Sequence, residues 1–325
     1  MRKFTVNRND AGLRLDKFIK KVLKFAPDSL VYKYLRKKRI KVNGKKEEIS
    51  YKLDEGDVLE FYVNDELFFD AKENENSFLK IKPDLDILYE DENILLLHKK
   101  VGVVVHTDER ENFNTLISHI LAYLYQKGEY NPDEELSFRP ALCNRIDRNT
   151  GGIVIAAKNA VALRAVNKAI KQNETEKKYL CLVSGILDQK EQTMTAYHYK
   201  DEVKKQVFVS NQKKPGYKEM ITKYKVLSET TRHGCPVSLV EVHLITGRTH
   251  QIRAHFAHIG HPLIGDGKYG RNELNKKFNA RYQYLYAYRF RFTLKDKENP
   301  LYYLNGRIFE IEKIPFLEWE NLSKK

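Results

Sequence analysis

A charged stretch without an apolar period interrupts the chain near residue 70, and it constrains the fold more than any other feature. Residues 70–77 read D-A-K-E-N-E-N-S, a pattern that neither a helix nor a strand can bury along one face. The full length of 325 residues also exceeds what one small core usually organises. We therefore predict a small domain over residues 1–64, a linker over 65–84 and a large domain over 85–325.

The small domain has the pattern of two helices followed by strands. Apolar residues recur at helical spacing over 13–23, and Pro27-Asp28-Ser29 is typical of the start of a second helix. Residues 40–42 alternate like a strand, and Asn43-Gly44 is typical of a hairpin turn because both residues tolerate positive φ. Residues 53–63 predict a further turn and strand.

Positive charge is concentrated in this small domain. The chain has a formal net charge of +14, and residues 20–46 hold 11 Lys and Arg against one acid. A clustered basic face favours a polyanionic partner such as nucleic acid, although a solvated Lys-rich surface is the alternative. The residues expected to contact nucleic-acid phosphates are Arg14, Arg36, Lys37, Lys38, Arg39, Lys41 and Lys45.

Cysteine spacing and hydropathy argue against several classes of protein. Cys143, Cys181 and Cys235 lie far apart, so neither a disulfide framework nor a zinc finger is indicated. No apolar run reaches the roughly 18 residues that span a bilayer, and the first residues lack the apolar core of a secretion signal. We expect a cytoplasmic protein with no membrane partner.

The large domain has the pattern of an α+β fold. Helical patterns cover residues 116–124 and 160–170. Short apolar runs typical of strands cover residues 94–97, 101–105, 153–156, 179–183 and 237–245. We expect these strands and helices to share one core.

Asp147 stands in the first segment that could carry chemistry, residues 144–152, which read N-R-I-D-R-N-T-G-G. The flanking arginines create a positive field that favours the ionised acid, as a nucleophile or base requires. The paired glycines let the backbone approach a bulky ligand. Taken alone, the segment fits a surface turn that holds a local ion pair better than it fits a catalytic site.

A second segment, residues 246–270, crowds hydrogen-bond donors after an apolar strand. His250, Gln251 and Arg253 lie within four residues, and Arg253 is suited to bidentate pairing with a carboxylate or phosphate. Four histidines in the segment raise a metal site as the alternative, but their spacing matches no H-E-x-x-H pattern. We therefore expect no metal.

A third segment, residues 177–185, reads K-K-Y-L-C-L-V-S-G and predicts a buried strand. Tyr179 stands near its start. Most strand tyrosines are packing residues, but a tyrosine also offers a flat face on which a base can stack. The residues alone leave both roles open.

Together the three segments resemble the motifs of the RluA-type pseudouridine synthases. The family pattern H-R-L-D-x-x-T-S-G is similar to residues 144–152, and K-x-Y-x-x-x-V-x-G is similar to residues 177–185. The run T-G-R-T-H-Q-I-R-x-H, with its tail G-x-P-L-x-G-D-x-x-Y-G, is similar to residues 246–270 almost throughout. Residues 1–64 resemble the alpha-L RNA-binding domain of a ribosomal small-subunit protein, which often precedes such synthases.

The resemblance implies a fold and a reaction. The expected fold is a mixed, largely antiparallel central sheet with peripheral helices, beside a small α+β RNA-binding domain. The reaction breaks the N1–C1′ bond of uridine, turns the base over and joins C5 to C1′, without cofactor, metal or redox change. A uridine within folded RNA must first be flipped out of its stack.

It also implies roles for individual side chains. Asp147 is expected to act at the sugar, with Arg253 as its salt-bridge partner. Tyr179 is expected to stack on the base and, through its hydroxyl, to help remove the C5 proton. Those expected to bind the substrate are Arg145, which would fill the space the base vacates, Leu285, which would cover its other face, and His250 and Gln251.

Four positions depart from the family pattern. Asn144 stands for the usual His, Ile146 for Leu and Gly151 for Ser, while Tyr286 stands for the His of a later L-H-A segment. None of these changes removes Asp147 or its flanking arginines. The chemistry is therefore expected to be retained, with altered local hydrogen bonding.

The sequence leaves two other functions open. One is a non-catalytic, ribosome-associated RNA-binding protein, against which the set of Asp147, Tyr179 and Arg253 counts, because binding alone does not require it. The other is a metal-dependent nuclease, which sensitivity to a chelator would reveal. Among RNA partners, large-subunit ribosomal RNA is preferred over transfer RNA because an alpha-L domain suits large structured RNA, and a monomer is expected.

Overall fold

The computed structural model describes residues 1–23, 25–68, 77–106, 113–201, 203 and 206–317. In its N-terminal part, two helices pack beside a three-stranded antiparallel sheet around one apolar core. These elements are β1 (Arg2–Thr5), α1 (Leu15–Val22), α2 (Asp28–Arg36), β2 (Ile40–Val42) and β3 (Val58–Phe61). The predicted pair of helices and following strands is confirmed, whereas β1, which pairs with β3, was not anticipated.

The predicted hairpin turn after β2 is also confirmed. Asn43 and Gly44 have φ angles of 50° and 75°, and Val42 and Lys45 exchange two backbone hydrogen bonds of 2.9 Å across them. Positive φ at both central positions is the geometry that an Asn-Gly pair accepts at low cost. Lys45 and Lys46, which follow the turn, are exposed.

A large sheet organises the rest of the chain. Its main path runs β10-β9-β11-β12-β8-β13-β7-β5-β4, and every pair along that path is antiparallel except β13 with β7. The strands are β4 (Ile87–Glu90), β5 (Ile94–Lys99), β6 (Ala141–Leu142), β7 (Gly151–Ala157), β8 (Thr175–Ser184), β9 (Glu191–Asp201), β10 (Gln206–Ser210), β11 (Lys218–Arg232), β12 (Cys235–Leu244), β13 (Leu285–Phe292) and β14 (Ile308–Glu310). The predicted mixed, largely antiparallel sheet is confirmed.

Helices cover both faces of this sheet. They are α3 (Leu116–Gln126), α4 (Ala160–Lys171), α5 (Gln251–His258) and α6 (Asn272–Lys277). One apolar core joins α3 and α5 to one face, and a second joins α4 and the chain beyond β13 to the other. Alternating residues of the central strands therefore serve two cores, which explains the continuous apolar runs in β5 and β7.

One strand predicted from the sequence is absent. Residues 101–105 form a turn followed by a single bridge between Val104 and Thr115, not a strand. Gly102 has a φ of 91°, and its amide donates to the carbonyl of Arg148. The apolar residues of this run are thus held against the Asp147 loop, and the glycine turns the chain where a strand would have continued straight.

Both ends of the predicted linker are packed against domain cores. Residues 69–76, which include most of the charged stretch, lie outside the described residues. Phe68 joins the small core, while Phe78 and Ile81 join the large one. Phe78 and Ile81, which fall in the predicted linker, thus contribute to the core of the large domain.

Side chains of the small domain also bond directly to the large one. Asn9 donates to Glu135 at 2.5 Å and accepts from the amide of Ala160, and Lys21 donates to the carbonyl of Ser137. Leu136 packs against the small core between these polar contacts. The two domains are thus joined by side-chain contacts as well as by the connecting chain.

Among the described helices, none combines the length and the apolar character that crossing a membrane requires.

Candidate active site

Asp147 lies in the loop between β6 and β7, at the edge of a pocket. Asn144 holds this loop: its side chain accepts from the amide of Ile155 at 2.8 Å and donates to the carbonyl of Ile153 at 3.3 Å. The amide of Thr150 donates to the carbonyl of Asp147 and closes a turn. Asn144, which stands where the family pattern has His, therefore fixes the loop against β7.

Arg253 connects Asp147 to a buried second carboxylate. Its Nη1 lies 2.7 Å from Asp147 Oδ2, while Nε and Nη2 lie 2.7 and 2.9 Å from the two oxygens of Asp266. The Asp266 side chain is fully buried, and the Asp147 side chain is 26% exposed. The bidentate bond to Asp266 orients the guanidinium so that its remaining edge meets Asp147.

Asp266 anchors Arg253, a role that the sequence analysis did not identify. Burial alone would raise the pKa of this carboxyl, but the bonds from Arg253 and from the amides of Lys268 and Tyr269 lower it. Asp266 therefore stays ionised and keeps Arg253 in place. The only signal in the sequence was its position in the G-D-x-x-Y-G tail.

Tyr179 and Leu285 form apolar walls of the same pocket. They lie on the neighbouring strands β8 and β13, and Asp147, Arg145 and Arg253 line the pocket with them. Burial, and secondarily the charge of Asp147, raises the pKa of the Tyr179 phenol, so its hydroxyl keeps its proton at neutral pH. A flat ring and a branched side chain thus line the same pocket as the carboxylate.

His250 borders the carboxylate on the other side. Its Nε2 lies 3.9 Å from Asp147 Oδ1, and its Nδ1 lies 2.9 Å from the hydroxyl of Tyr269. Burial, opposed by the charge of Asp147, lowers the pKa of the imidazole, so His250 is neutral at pH 7. His250 has a φ of 52°, a left-handed conformation immediately before α5.

Gln251, predicted to bind substrate, has all its hydrogen-bonding capacity occupied by the protein. Its Oε1 accepts from the Thr246 hydroxyl and the Arg248 amide, and its Nε2 donates to the Ile221 carbonyl and the Thr222 hydroxyl. An amide side chain has two donors and two main acceptor positions, and all four are used. This geometry does not fit the predicted role: Gln251 fixes the loop before α5.

Lys99 supports the Asp147 loop from behind and was also missed by the sequence analysis. Its buried ammonium donates to the carbonyls of Lys100, Val103 and Arg148 at 2.9–3.0 Å. Arg148 in turn donates from Nε to the carbonyl of Gly102. In the sequence, this lysine looked only like an interruption of an apolar run.

The predicted basic residues are mostly exposed. Arg36, Lys37, Lys38, Arg39 and Lys45 are exposed and form no ion pair with a described residue, while Lys41 lies 5.3 Å from the ring centre of Tyr62. Arg14 differs, because both carboxylate oxygens of Asp16 accept from its guanidinium. The free positive charge is therefore grouped between α2 and the Asn43-Gly44 turn.

The four histidines of the second motif do not converge. His255 bonds to Thr222, His258 to Asn211 and His261 to the carbonyl of Ser184. Within the described part of the chain, no group of three or more His, Cys, Asp and Glu side chains is arranged to hold a metal ion. The nuclease alternative therefore has no ligand set in this region.

Two departures from the family pattern are neighbours in space. Gly151 on β7 pairs with Tyr286 on β13, and a Cβ atom at position 151 would lie 2.3 Å from Cε2 of the Tyr286 ring. The Tyr286 hydroxyl bonds to Nε2 of His98, whose Nδ1 bonds to Asp86. The Tyr286 ring therefore fits in this position only because residue 151 has no side chain.

We predict that Gly151→Ser will lower the free energy of unfolding by about 1–3 kcal/mol, because the added atoms collide with a packed ring. In a Tyr286→His background the same change should cost less, since the shorter imidazole leaves room for the serine. Urea denaturation of the wild type, the two single variants and the double variant measures this coupling. Gly267→Ser is the control, because a Cβ atom added at position 267 meets nothing within 4 Å. An equal cost in both backgrounds would refute the coupling.

Two family models match the chain. Residues 93–258 match the model described as RNA pseudouridylate synthase, and residues 13–59 match the S4 domain. The first match contains Asp147, Tyr179 and Arg253. The second contains the helices, the turn and the first half of β3 of the small domain.

Several curated proteins are similar over most of the chain. An uncharacterised RNA pseudouridine synthase of Mycoplasma capricolum is 32% identical over 95% of this chain and 96% of its own length. The ribosomal large subunit pseudouridine synthase C of Vibrio cholerae is 32% identical over 85% of this chain and 81% of its own length. Among solved structures, human RNA pseudouridylate synthase domain containing 4 covers 74% of this chain with a TM-score of 0.55 at 20% identity, a likeness of fold.

Proposed function

This chain belongs to the RNA pseudouridylate synthase family, and from that premise we propose that it modifies large-subunit ribosomal RNA with Asp147 as its catalytic residue. As a member, it is an isomerase that converts uridine in RNA to pseudouridine. The observation that carries the assignment of Asp147 is the 2.7 Å ion pair with Arg253 at the edge of a pocket walled by Tyr179 and Leu285.

Each step of the proposed reaction uses a group in this pocket. Arg145, exposed at the pocket mouth, fills the gap that the flipped uridine leaves in the RNA. Asp147, held in place by its bond from Arg253, acts at the sugar while the N1–C1′ bond breaks. The detached uracil turns over between Tyr179 and Leu285, and C5 bonds to C1′. The Tyr179 hydroxyl, which holds its own proton, takes up the C5 proton as it passes its own proton on, and N1 gains a proton, so no outside reactant is consumed.

The Tyr179 hydroxyl is tested by the change Tyr179→Phe. The ring remains as a stacking surface, so we expect RNA affinity within about twofold of wild type, but a turnover rate lower by about 100-fold, the usual worth of one general acid–base group. Binding is measured by filter retention and turnover by tritium release from 5-tritiated uridine. Normal turnover in the variant would remove the hydroxyl from the mechanism.

Large-subunit ribosomal RNA is proposed as the substrate for two reasons. The similar proteins of Vibrio cholerae and Haemophilus influenzae are named as large-subunit pseudouridine synthases. The exposed basic residues of the small domain also suit phosphates of a large folded RNA, which give affinity and placement more than sequence readout. In this division of labour residues 1–64 bind, residues 85–325 catalyse, and a monomer acts in the cytoplasm.

The proposal is tested with unmodified transcripts. Large-subunit ribosomal RNA, small-subunit ribosomal RNA and pooled transfer RNA are incubated with the protein, and released tritium is counted. We expect release from the large-subunit RNA, unchanged by chelator provided the RNA stays folded, with an affinity that falls steeply as salt rises. Release from transfer RNA alone would overturn the substrate assignment.

A further inference from the structure

Lys177 lines the active-site pocket and has no role in the reaction described above. It lies on β8 two residues before Tyr179, so both side chains leave the strand on the same face. The pocket that contains Asp147, Tyr179 and Leu285 is lined by Lys177 as well. An amine therefore lines the pocket close to the residue expected to stack on the base.

Lys177 differs from the next lysine on the strand in having no described partner for its amine. Lys178 faces the opposite side of the sheet, where its Nζ lies 2.9 Å from Glu241 Oε1. Lys177, in contrast, forms no hydrogen bond or ion pair with any described residue, although it is partly buried. Burial lowers the pKa of Lys177, and no nearby carboxylate opposes that effect.

A partly buried ammonium without a partner is unfavourable, because it has lost hydration and gained nothing in return. An anion that enters the pocket would remove that cost. Arg253 cannot serve this purpose, because its guanidinium is already bonded to Asp147 and Asp266. A polyanionic substrate brings a phosphate on each side of every base.

We infer that Lys177 binds a phosphate next to the flipped uridine and so fixes the depth of the nucleotide in the pocket. This inference rests on the proposed function. Two residues of strand separate the Cα atoms of Lys177 and Tyr179 by about 6.5 Å, which is wider than a pyrimidine ring. A base stacked on Tyr179 therefore leaves the Lys177 amine uncovered, and the phosphate beside that base is the anion that the substrate offers it.

The test measures RNA binding in the full-length chain carrying Asp147→Asn, so that affinity is separated from turnover. The probe is an unmodified transcript of large-subunit ribosomal RNA. Lys177→Met should weaken binding by about tenfold, as loss of one hydrogen-bonded ion pair does. It should also reduce the slope of log K against log salt by roughly 0.7–0.9.

Two variants make the result specific. Lys178→Met removes the same charge from the opposite face of β8 and should bind like its parent, and Lys177→Arg should restore most of the affinity. Thermal unfolding of each protein confirms that it is folded. Equal affinity of Lys177→Met and its parent, or an equal loss in Lys178→Met, would overturn the inference.

Turnover distinguishes this inference from the proposed function. With Asp147 restored, Lys177→Met should raise KM by about tenfold and leave kcat within about threefold, as for loss of an interaction present in both ground and transition states. A normal KM with a collapsed kcat would place the amine in the chemistry and refute phosphate binding. If the wild-type protein releases no tritium from any RNA, the proposed function fails, whatever Lys177→Met does to binding.

Discussion

Replacing Asp147 by Asn is expected to lower the rate of pseudouridine formation by at least about 10⁴-fold, in the range seen when a central catalytic group is removed. The amide keeps the size of the carboxylate but carries no charge, so it can neither attack a sugar carbon nor accept a proton. Arg253 keeps its bidentate bond to Asp266, so the pocket should stay assembled. Single-turnover tritium release at saturating RNA measures the chemical step directly.

Asp188→Asn is the control for this change, because Asp188 is exposed and lies outside the pocket. It should turn over like wild type. RNA affinity of Asp147→Asn should also stay close to wild type, which would show that the loss concerns the reaction. Turnover of Asp147→Asn within tenfold of wild type would refute the assignment of Asp147.

Arg253→Lys is expected to lower both turnover and stability. The guanidinium meets Asp266 with two nitrogens and Asp147 with a third, and a single ammonium cannot reach both carboxylates in that geometry. Asp266 is fully buried, so breaking its pair should cost about 3 kcal/mol of unfolding free energy. Turnover should fall by about 100-fold or more because Asp147 loses the partner that positions it.

Urea denaturation and single-turnover kinetics measure the two effects separately. The matched control is Arg248→Lys, since Arg248 lies in the same segment and is exposed, with its Nε donating only to the carbonyl of Glu219. That variant should lose little stability. A stable and active Arg253→Lys protein would show that the two-carboxylate arrangement is dispensable.

Local chemistry made parts of this fold predictable. The Asn43-Gly44 turn and the helix that begins at Asp28 follow from residues whose preferences act over a few positions. The strand predicted over residues 101–105 was wrong, because an apolar segment with one glycine can pack as a turn against a distant loop. β9 and β11 were not among the predicted strands, because exposed polar residues interrupt the apolar residues along much of their length.

Some residues of the candidate site were predictable from the sequence and others were not. Motif resemblance proposed Asp147, Tyr179 and Arg253, and the fold brings all three to one pocket. The support from Lys99 and Asp266 was not predicted. Lys99 acts through a contact with a loop 49 residues further along the chain, and Asp266 acts through a pair with Arg253 that only the folded form of their shared segment creates. Gln251 looked like a free donor because a sequence does not show which polar groups the protein itself will occupy.

The contact between Gly151 and Tyr286 could not be predicted from the sequence either. Each was visible as a single change from the family pattern, but their common cause was not. Only the parallel pairing of β7 with β13 brings Gly151 under the Tyr286 ring. The local conformational preferences of the two residues do not predict that contact.

The most direct test of the central claim is a map of pseudouridines in large-subunit ribosomal RNA from cells that lack this protein. The map is repeated after wild-type protein or Asp147→Asn is supplied at equal abundance. We predict that one or a few pseudouridines disappear in its absence, return with the wild-type protein and stay absent with Asp147→Asn. Return of those pseudouridines with Asp147→Asn, or an unchanged map in cells that lack the protein, would contradict the account.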